Sequence, residues 1–306
     1  LEDSSKNLIE ISVPKELDIL KAQLLGISEL CSRVIRNFQG KQFQEGLSSY
    51  CRAQEKLYPL SKIFQPVSQF FLEKKRQDDS ELIRELAAET RGEETGIRHH
   101  NNQPGERGGF SFYIPENKSQ KASLPLIVAL HGSSGHGADF LWNWLKEARS
   151  RGFLLLCPTS SEQTWSLENV REDLFKILEA INNLSEISSI NSEKILITGM
   201  SDGATFSMLA GLRKSTPFTH IAPFSGIMPF SLAKMSDDTL ATDRPVFLVH
   251  GTEDKIFPVE TAFLTKSELE TAKVEVVLKT KNGLGHTYAR NEHDSLLNWF
   301  DPELAL

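Results

Sequence analysis

A change in hydrophobic period about a third of the way along the 306-residue chain limits its fold more than any other feature. Beyond this point, short β-rich apolar runs alternate with helical stretches. The β-rich runs are 110–114, 126–130, 153–157, 195–198, 219–224, 246–249 and 274–278. The helical stretches lie near 138–150, 167–183, 202–214, 258–271 and 287–299. This alternation predicts an α/β domain over 109–306, with a mostly parallel sheet covered by helices on both faces.

The residues before this point show a helical period instead. Apolar side chains recur at spacings of three and four between Pro14 and Gly40, and shorter stripes follow up to Leu86. Pro14 fits the first turn of a helix and Gly40 fits its C-terminal cap. We therefore predict a small helical hairpin or bundle over 1–95 and a linker over 96–108. The alternating spacing would also suit a homodimer through these helices.

Composition excludes several classes of function. The chain carries 34 Lys and Arg against 41 Asp and Glu, a formal net charge of −7, so it has no basic surface for nucleic acid. Its apolar runs are far shorter than the ~20 residues of a membrane-spanning helix. Cys31, Cys51 and Cys157 form neither a CxxC pair nor an even disulfide framework, which favours a reducing compartment. We expect a cytoplasmic protein that neither binds nucleic acid nor spans a membrane.

The strongest chemical signal is the segment Gly199-Met200-Ser201-Asp202-Gly203, which follows a predicted strand. In a Gly-x-Ser-x-Gly motif the serine sits on a sharp strand-to-helix turn, and small neighbours let the strand and helix pass closely. The strand before it and the amphipathic helix after it favour a nucleophile over the alternative, a helix N-cap serine. Ser201 is therefore the predicted nucleophile.

A nucleophilic serine needs a base and an acid that orients the base, and we expect both downstream of Ser201. A turn after a buried strand carries two carboxylates, of which Asp254 is the predicted acid and Glu253 the alternative. His286 lies in a glycine-rich loop after the next strand, where its ring can reach the serine. It is the predicted base, and His293, expected on a helix surface, is the alternative.

The reaction also needs two backbone N–H groups that stabilise an oxyanion. The residue after the nucleophile, Asp202, supplies one, and Ser133, in the small-residue loop 131–135 after another strand, is predicted to supply the other. A phosphate cradle is disfavoured because this loop has neither GxxxxGK[ST] nor GxGxxG. His131 and His250 precede glycines at strand ends and are expected to make structural hydrogen bonds.

The order of these motifs resembles that of a known family, the phospholipase/carboxylesterase family of α/β hydrolases, which includes acyl-protein thioesterases. The elements that carry the resemblance are His131-Gly132, Gly199-Met200-Ser201-Asp202-Gly203, Phe224-Ser225-Gly226, Asp254 and His286. The resemblance extends over about residues 108–303. It implies an α/β-hydrolase sheet and a serine hydrolase of small carboxylic esters or thioesters that needs no cofactor. The sequence offers no set of metal ligands.

Two features depart from the family pattern. Asp202 stands where family members usually carry Gln, and its carboxylate suits a helix N-terminus but would weaken oxyanion binding or shift specificity. The helical region before residue 96 lies outside the usual single domain, and its helices could cover the pocket. Trp165 and Met228 are predicted to bind substrate, with ordinary loop packing as the alternative for each.

Together these features predict a serine hydrolase that cleaves ester or thioester bonds through an acyl-enzyme on a Ser-Asp-His triad. A peptidase or depolymerase of the same fold is the alternative within the enzyme class. A catalytically silent hydrolase fold that serves as a binding module is the alternative outside it, and the presence of all three triad residues disfavours that alternative.

Overall fold

The computed structural model describes residues 2–87, 95–116, 123–229 and 239–306, with side chains from residue 6 onward. The chain forms two compact units, Leu1–Glu89 and Thr90–Leu306. Among the described residues, no helix is both long enough and apolar enough to cross a membrane.

The first unit is helical. Its helices are α1 (Glu2–Glu10), α2 (Asp18–Gln39), α3 (Phe43–Leu57), α4 (Gln65–Phe70) and α5 (Ser80–Ala87). α2 and α3 pack against each other, and α2 ends where the sequence predicts, with the Gly40 N–H bonded to the Arg36 carbonyl. Leu82 and Leu86 of α5 form a small buried cluster with Leu72. The predicted helices are therefore present in this unit. The sequence pattern did not predict α1.

The second unit contains one sheet. Its strands are β1 (Gly96–His100), β2 (Phe110–Ile114), β3 (Leu124–Leu130), β4 (Leu154–Pro158), β5 (Ile190–Met200), β6 (His220–Phe224), β7 (Val246–Gly251) and β8 (Val276–Lys281). In space the order of these strands is β1-β2-β4-β3-β5-β6-β7-β8. β1 and β2 are antiparallel to their neighbours. The other six strands, β3 to β8, pair with one another in parallel. The predicted mostly parallel sheet is confirmed.

Helices of this unit connect the parallel strands, except that the last helix follows the final strand. They are α6 (Gly137–Phe140), α7 (Leu145–Arg151), α8 (Arg171–Ile187), α9 (Asp202–Gly211), α10 (Glu260–Thr271) and α11 (His293–Phe300). Every residue of β3 is buried, and so is every residue of α9 after Asp202. The core of the unit therefore lies around the central strands, and it fixes the carboxyl ends of β3, β5, β7 and β8 next to one another.

The predicted linker contains a strand. Residues 96–100 form β1, which pairs antiparallel with β2 in the register Gly96↔Ile114 to His100↔Phe110. The polar composition of this segment suggests an exposed loop, but an edge strand needs only one partner for its backbone and can expose alternate side chains. His100 is half of a stacked pair with Phe110, with ring centroids 5.0 Å apart. The linker prediction is wrong for these five residues.

Gly203 lies where α9 passes close to the end of β3, and it gives a first testable prediction. A Cβ atom at this position would lie 2.3 Å from the His131 carbonyl oxygen and 2.7 Å from that of Leu130. Because both neighbours are backbone, Gly203→Ala should destabilise the protein by about 3 kcal/mol. Calorimetry should then show the melting temperature falling by roughly 10 °C for a unit of this size.

Gly26→Ala is the matched control for this substitution. Gly26 lies inside α2, and the nearest atom to its added Cβ is a lysine side-chain carbon at 3.8 Å. Alanine favours helix, so this variant should melt at or above the wild-type temperature. Equal melting temperatures for Gly203→Ala and wild type would show that the helix can shift away without cost.

Candidate active site

Ser201 lies at the turn between β5 and α9 in a strained conformation. Its φ is 56° and its ψ is −119°, a backbone geometry that a non-glycine residue rarely adopts. The turn is held by the Ser201 N–H, which donates to the Phe224 carbonyl at 3.0 Å, and by the Thr205 N–H, which donates to the Ser201 carbonyl at 2.9 Å. A Cβ on Gly199 would lie 2.5 Å from the backbone of Gly203, so small residues are required on both sides. Such a turn presents the serine hydroxyl outward at the sheet's carboxyl edge.

The structure brings the three residues predicted as a triad into one hydrogen-bonded line. His286 Nε2 lies 2.9 Å from Ser201 Oγ, and His286 Nδ1 lies 2.7 Å from Asp254 Oδ2. Asp254 follows β7 and His286 follows β8, so the carboxyl ends of three parallel strands converge here. Glu253, the alternative acid, is exposed.

Asp254 is held as an ionised carboxylate. Burial disfavours its charge, but hydrogen bonds from the Phe257 N–H, the His286 ring and the Ile256 N–H outweigh burial and hold its pKa below the ordinary value. The two N–H groups reach Asp254 Oδ1 at 2.8 and 2.9 Å, which leaves Oδ2 for His286. A charged acceptor at this position fixes one tautomer of the imidazole, with its proton on Nδ1.

A second histidine supports the turn that carries Asp254. His250, fully buried at the end of β7, lies with Nε2 2.7 Å from the Phe257 carbonyl oxygen and 3.5 Å from Asp254 Oδ2. Phe257 in turn packs edge-on against His286, with ring centroids 5.4 Å apart. The prediction of a structural hydrogen bond for His250 is confirmed. Its Nε2 lies near both the Phe257 carbonyl oxygen and the Asp254 carboxylate.

His293 is not on a helix surface, as the sequence suggested, but buried. Its ring stacks on Trp144 at a centroid distance of 3.9 Å, and its Nε2 lies 3.1 Å from the Tyr288 hydroxyl. Tyr288 follows His286 by two residues and also packs against Phe224. His293 therefore helps to hold the base-carrying loop. It shares the buried face of α11 with Leu296, Leu297 and Phe300, at the spacing of three and four that could have predicted its burial.

The 131–135 loop passes beside Ser201. A Cβ built on Gly132 would lie 3.5 Å from the Cβ of Ser201, so the Ser133 N–H belongs to the same neighbourhood as the serine. Asp202 begins α9, where the first N–H groups of a helix have no acceptor within the helix. These positions are compatible with the two predicted oxyanion donors.

His131 fixes this loop as a neutral imidazole. Burial lowers its pKa to about 4. Its Nε2 accepts from the Ser160 N–H at 3.1 Å, so Nδ1 carries the proton and donates to the Gly132 carbonyl at 2.7 Å. The structural hydrogen bonds predicted for His131 are confirmed.

The two residues predicted to bind substrate lie in different surroundings. Trp165 is 2% exposed, donates from Nε1 to the His131 carbonyl at 2.8 Å and packs against Phe206. This placement gives Trp165 a role in supporting the 131–135 loop, and substrate binding by Trp165 stays a prediction. Met228 is partly buried against the core, and its N–H lies 3.4 Å from Thr265 Oγ1. Substrate binding by Met228 stays a prediction.

Sequence reasoning missed the side chains that hold the neighbouring 159–166 loop. Asp173 of α8 accepts hydrogen bonds from the N–H groups of Ser161 and Ser166, both at 2.9 Å. Arg107 joins the two loops, donating to the Gly135 carbonyl at 2.7 Å and to Ser160 Oγ. Arg107 lies in the predicted linker, where no periodic pattern distinguishes it from solvated charge.

Comparison with known proteins finds a family match within this unit. Residues 166–301 match the family model described as phospholipase/carboxylesterase. This segment is therefore similar to the phospholipase/carboxylesterase family. Among solved structures, the acetyl xylan esterase from Aspergillus awamori superposes on the chain with a TM-score of 0.54 at 16% identity. The likeness covers 67% of this chain and 98% of that one, and it concerns the fold alone.

Relatives of this chain include named hydrolases. Acyl-protein thioesterase 1 of Yarrowia lipolytica is 24% identical over 219 residues, which cover 61% of this chain and 95% of that protein. Carboxylesterase SOBER1 of Arabidopsis thaliana is 27% identical over 139 residues, which cover 43% of this chain and 61% of that protein. The chain is a carboxylesterase-like hydrolase.

Proposed function

We propose that this protein hydrolyses carboxylic esters or thioesters of small-molecule substrates through an acyl-enzyme formed on Ser201. One observation carries the proposal: the unbroken line of hydrogen bonds from Asp254 through His286 to the Ser201 hydroxyl. A serine hydroxyl is a weak nucleophile at neutral pH, and this line is what activates it.

The residues have distinct roles in the reaction. His286 Nε2 takes the hydroxyl proton as Ser201 Oγ attacks the scissile carbonyl carbon, and Asp254 stabilises the imidazolium that forms. The oxyanion of the tetrahedral intermediate accepts hydrogen bonds from the N–H groups of Ser133 and Asp202. The carbonyl then re-forms, and the alcohol or thiol leaves with the proton from His286. Water repeats the cycle on the acyl-enzyme, which releases the carboxylic acid and restores the serine.

The relatives support both leaving groups. Their names are those of an acyl-protein thioesterase and of a carboxylesterase, so oxygen and sulfur leaving groups both occur among proteins similar to this one. Attack on the carbonyl, stabilisation of the oxyanion and protonation of the leaving group are the same steps for an ester and a thioester. The proposal therefore covers both.

Covalent trapping tests the nucleophile directly. The intact protein should hydrolyse p-nitrophenyl acetate and butyrate, and phenylmethylsulfonyl fluoride should abolish this activity as it sulfonylates one residue. Mass spectrometry of the digested protein should locate the adduct on the peptide that contains Ser201. Complete inhibition with an adduct on another residue would disprove the assignment, and a folded protein that hydrolyses neither ester would disprove the esterase proposal.

A further inference from the structure

Asp202 places a carboxylate directly beyond the proposed nucleophile, and another element holds that carboxylate in place. Its Oδ2 accepts a hydrogen bond of 2.6 Å from the Thr164 hydroxyl. Thr164 belongs to the 159–166 loop, which Asp173 fixes through the two serine N–H groups described above. Thr164 is followed by Trp165, whose ring is buried beneath the 131–135 loop. The direction of the Asp202 side chain is therefore set by a well-anchored neighbour.

The carboxylate retains the capacity to accept further hydrogen bonds. An ionised carboxylate has about four acceptor positions on its two oxygens. Within the ranges that the structure describes, the Thr164 hydroxyl is the one side chain that donates to it. Asp202 is also only partly buried.

No described basic side chain offsets this negative charge in an ion pair. Arg107, the guanidinium that joins the two loops, is directed at the Gly135 carbonyl and at groups of the 159–166 loop. Its charge is matched by the carboxylates of Asp173 and Glu162, both of which act to raise its pKa against the lowering by burial. The charge of Asp202 is thus available to act on whatever binds next to Ser201.

We infer that Asp202, held by Thr164, determines specificity by charge and makes the site prefer cationic esters to neutral ones. This inference rests on the proposed function, since it concerns the substrate class of the same site. A negative charge several ångströms from a cationic group, at an effective dielectric constant of ~20, changes affinity by about tenfold. The same charge disfavours substrates that carry an anion near the scissile bond.

A pair of isosteric esters isolates this effect. Butyrylcholine carries a quaternary ammonium group where 3,3-dimethylbutyl butyrate carries a quaternary carbon, so the two differ in charge and hardly in shape. We expect Asp202→Asn to lower the ratio of kcat/KM for butyrylcholine to that for the neutral ester by about tenfold. The asparagine oxygen can still accept from Thr164, and circular dichroism reports whether the variant is folded. Both esters can be followed by titration of the acid released at constant pH.

Two further variants separate charge from structure. Thr164→Val removes the hydroxyl but keeps the carboxylate, so the ratio should change by less than about threefold. Glu179→Gln removes an exposed charge on α8 and should leave the ratio at the wild-type value, which controls for net charge. An unchanged ratio in the folded Asp202→Asn variant would overturn the inference and leave the proposed function intact. If the wild-type protein hydrolyses none of the three esters, butyrylcholine, 3,3-dimethylbutyl butyrate and p-nitrophenyl butyrate, the proposed function is disproved and the inference with it.

Discussion

Replacing Ser201 with alanine is expected to lower kcat for p-nitrophenyl butyrate by about 10⁶-fold, the effect that loss of the nucleophile has in serine hydrolases. Without Oγ no acyl-enzyme can form, and His286 loses the group that it hydrogen-bonds at 2.9 Å. The remaining rate should be that of direct attack by water, helped by the oxyanion donors and by substrate binding. Steady-state assays at neutral pH, with enough enzyme to detect slow hydrolysis, measure the residual rate directly.

A matched control uses an exposed serine of the same unit. Ser267 lies on the surface of α10, where its carbonyl accepts a hydrogen bond from Thr271. Ser267→Ala should retain full activity, and circular dichroism should show both variants folded. If Ser201→Ala kept more than about 1% of the wild-type rate while folded, the nucleophile would have to be sought elsewhere.

Replacing Asp254 with asparagine is expected to lower kcat by about 10⁴-fold while the fold is preserved. The carboxylate is ionised at neutral pH, because hydrogen bonds from two backbone N–H groups and from His286 hold its pKa below the ordinary value despite burial. An amide at this position can present its NH₂ group to His286 Nδ1, which moves the imidazole proton to Nε2. A protonated Nε2 cannot accept the hydroxyl proton of Ser201.

Glu253→Gln provides the comparison for Asp254, since it removes a carboxylate from the same turn. Glu253 is exposed, and its backbone N–H donates to the Leu284 carbonyl, a bond that the substitution leaves in place. We expect wild-type kcat for Glu253→Gln. The opposite result, a large loss for Glu253→Gln and a small one for Asp254→Asn, would reassign the acid that orients His286.

The sequence was sufficient for the features that depend on local patterns. The seven predicted strands are all present. Six of them contain β-rich apolar runs that the core largely buries, whereas β8 is only partly buried. Ser201, Asp254 and His286 meet because parallel strands end at one edge of a sheet, so residues distant in sequence become neighbours once the strand order is known. That convergence follows from topology and needs no knowledge of side-chain contacts.

The features that the sequence did not reveal depend on contacts between distant elements. β1 has a polar sequence and forms because β2 offers its backbone an open edge. Trp165 lies in a polar loop of the sequence, but in the structure its indole N–H donates to the His131 carbonyl and its ring packs in the core. His293 was predicted to be exposed because it is polar, although it lies on the same face of α11 as Leu296 and Leu297, and its ring stacks on Trp144.

The neutral imidazole of His131 sets an acid limit on the stability of this protein. In the unfolded chain this side chain takes up a proton near pH 6.5, whereas in the folded protein burial lowers its pKa to about 4. As the pH falls through this interval, proton uptake favours the unfolded chain, and the free energy of unfolding decreases by up to about 3 kcal/mol. Above pH 6.5 this contribution is fully present. The residue lies against the nucleophile's own turn, so its protonation in acid removes hydrogen bonds from the loop that would hold the oxyanion.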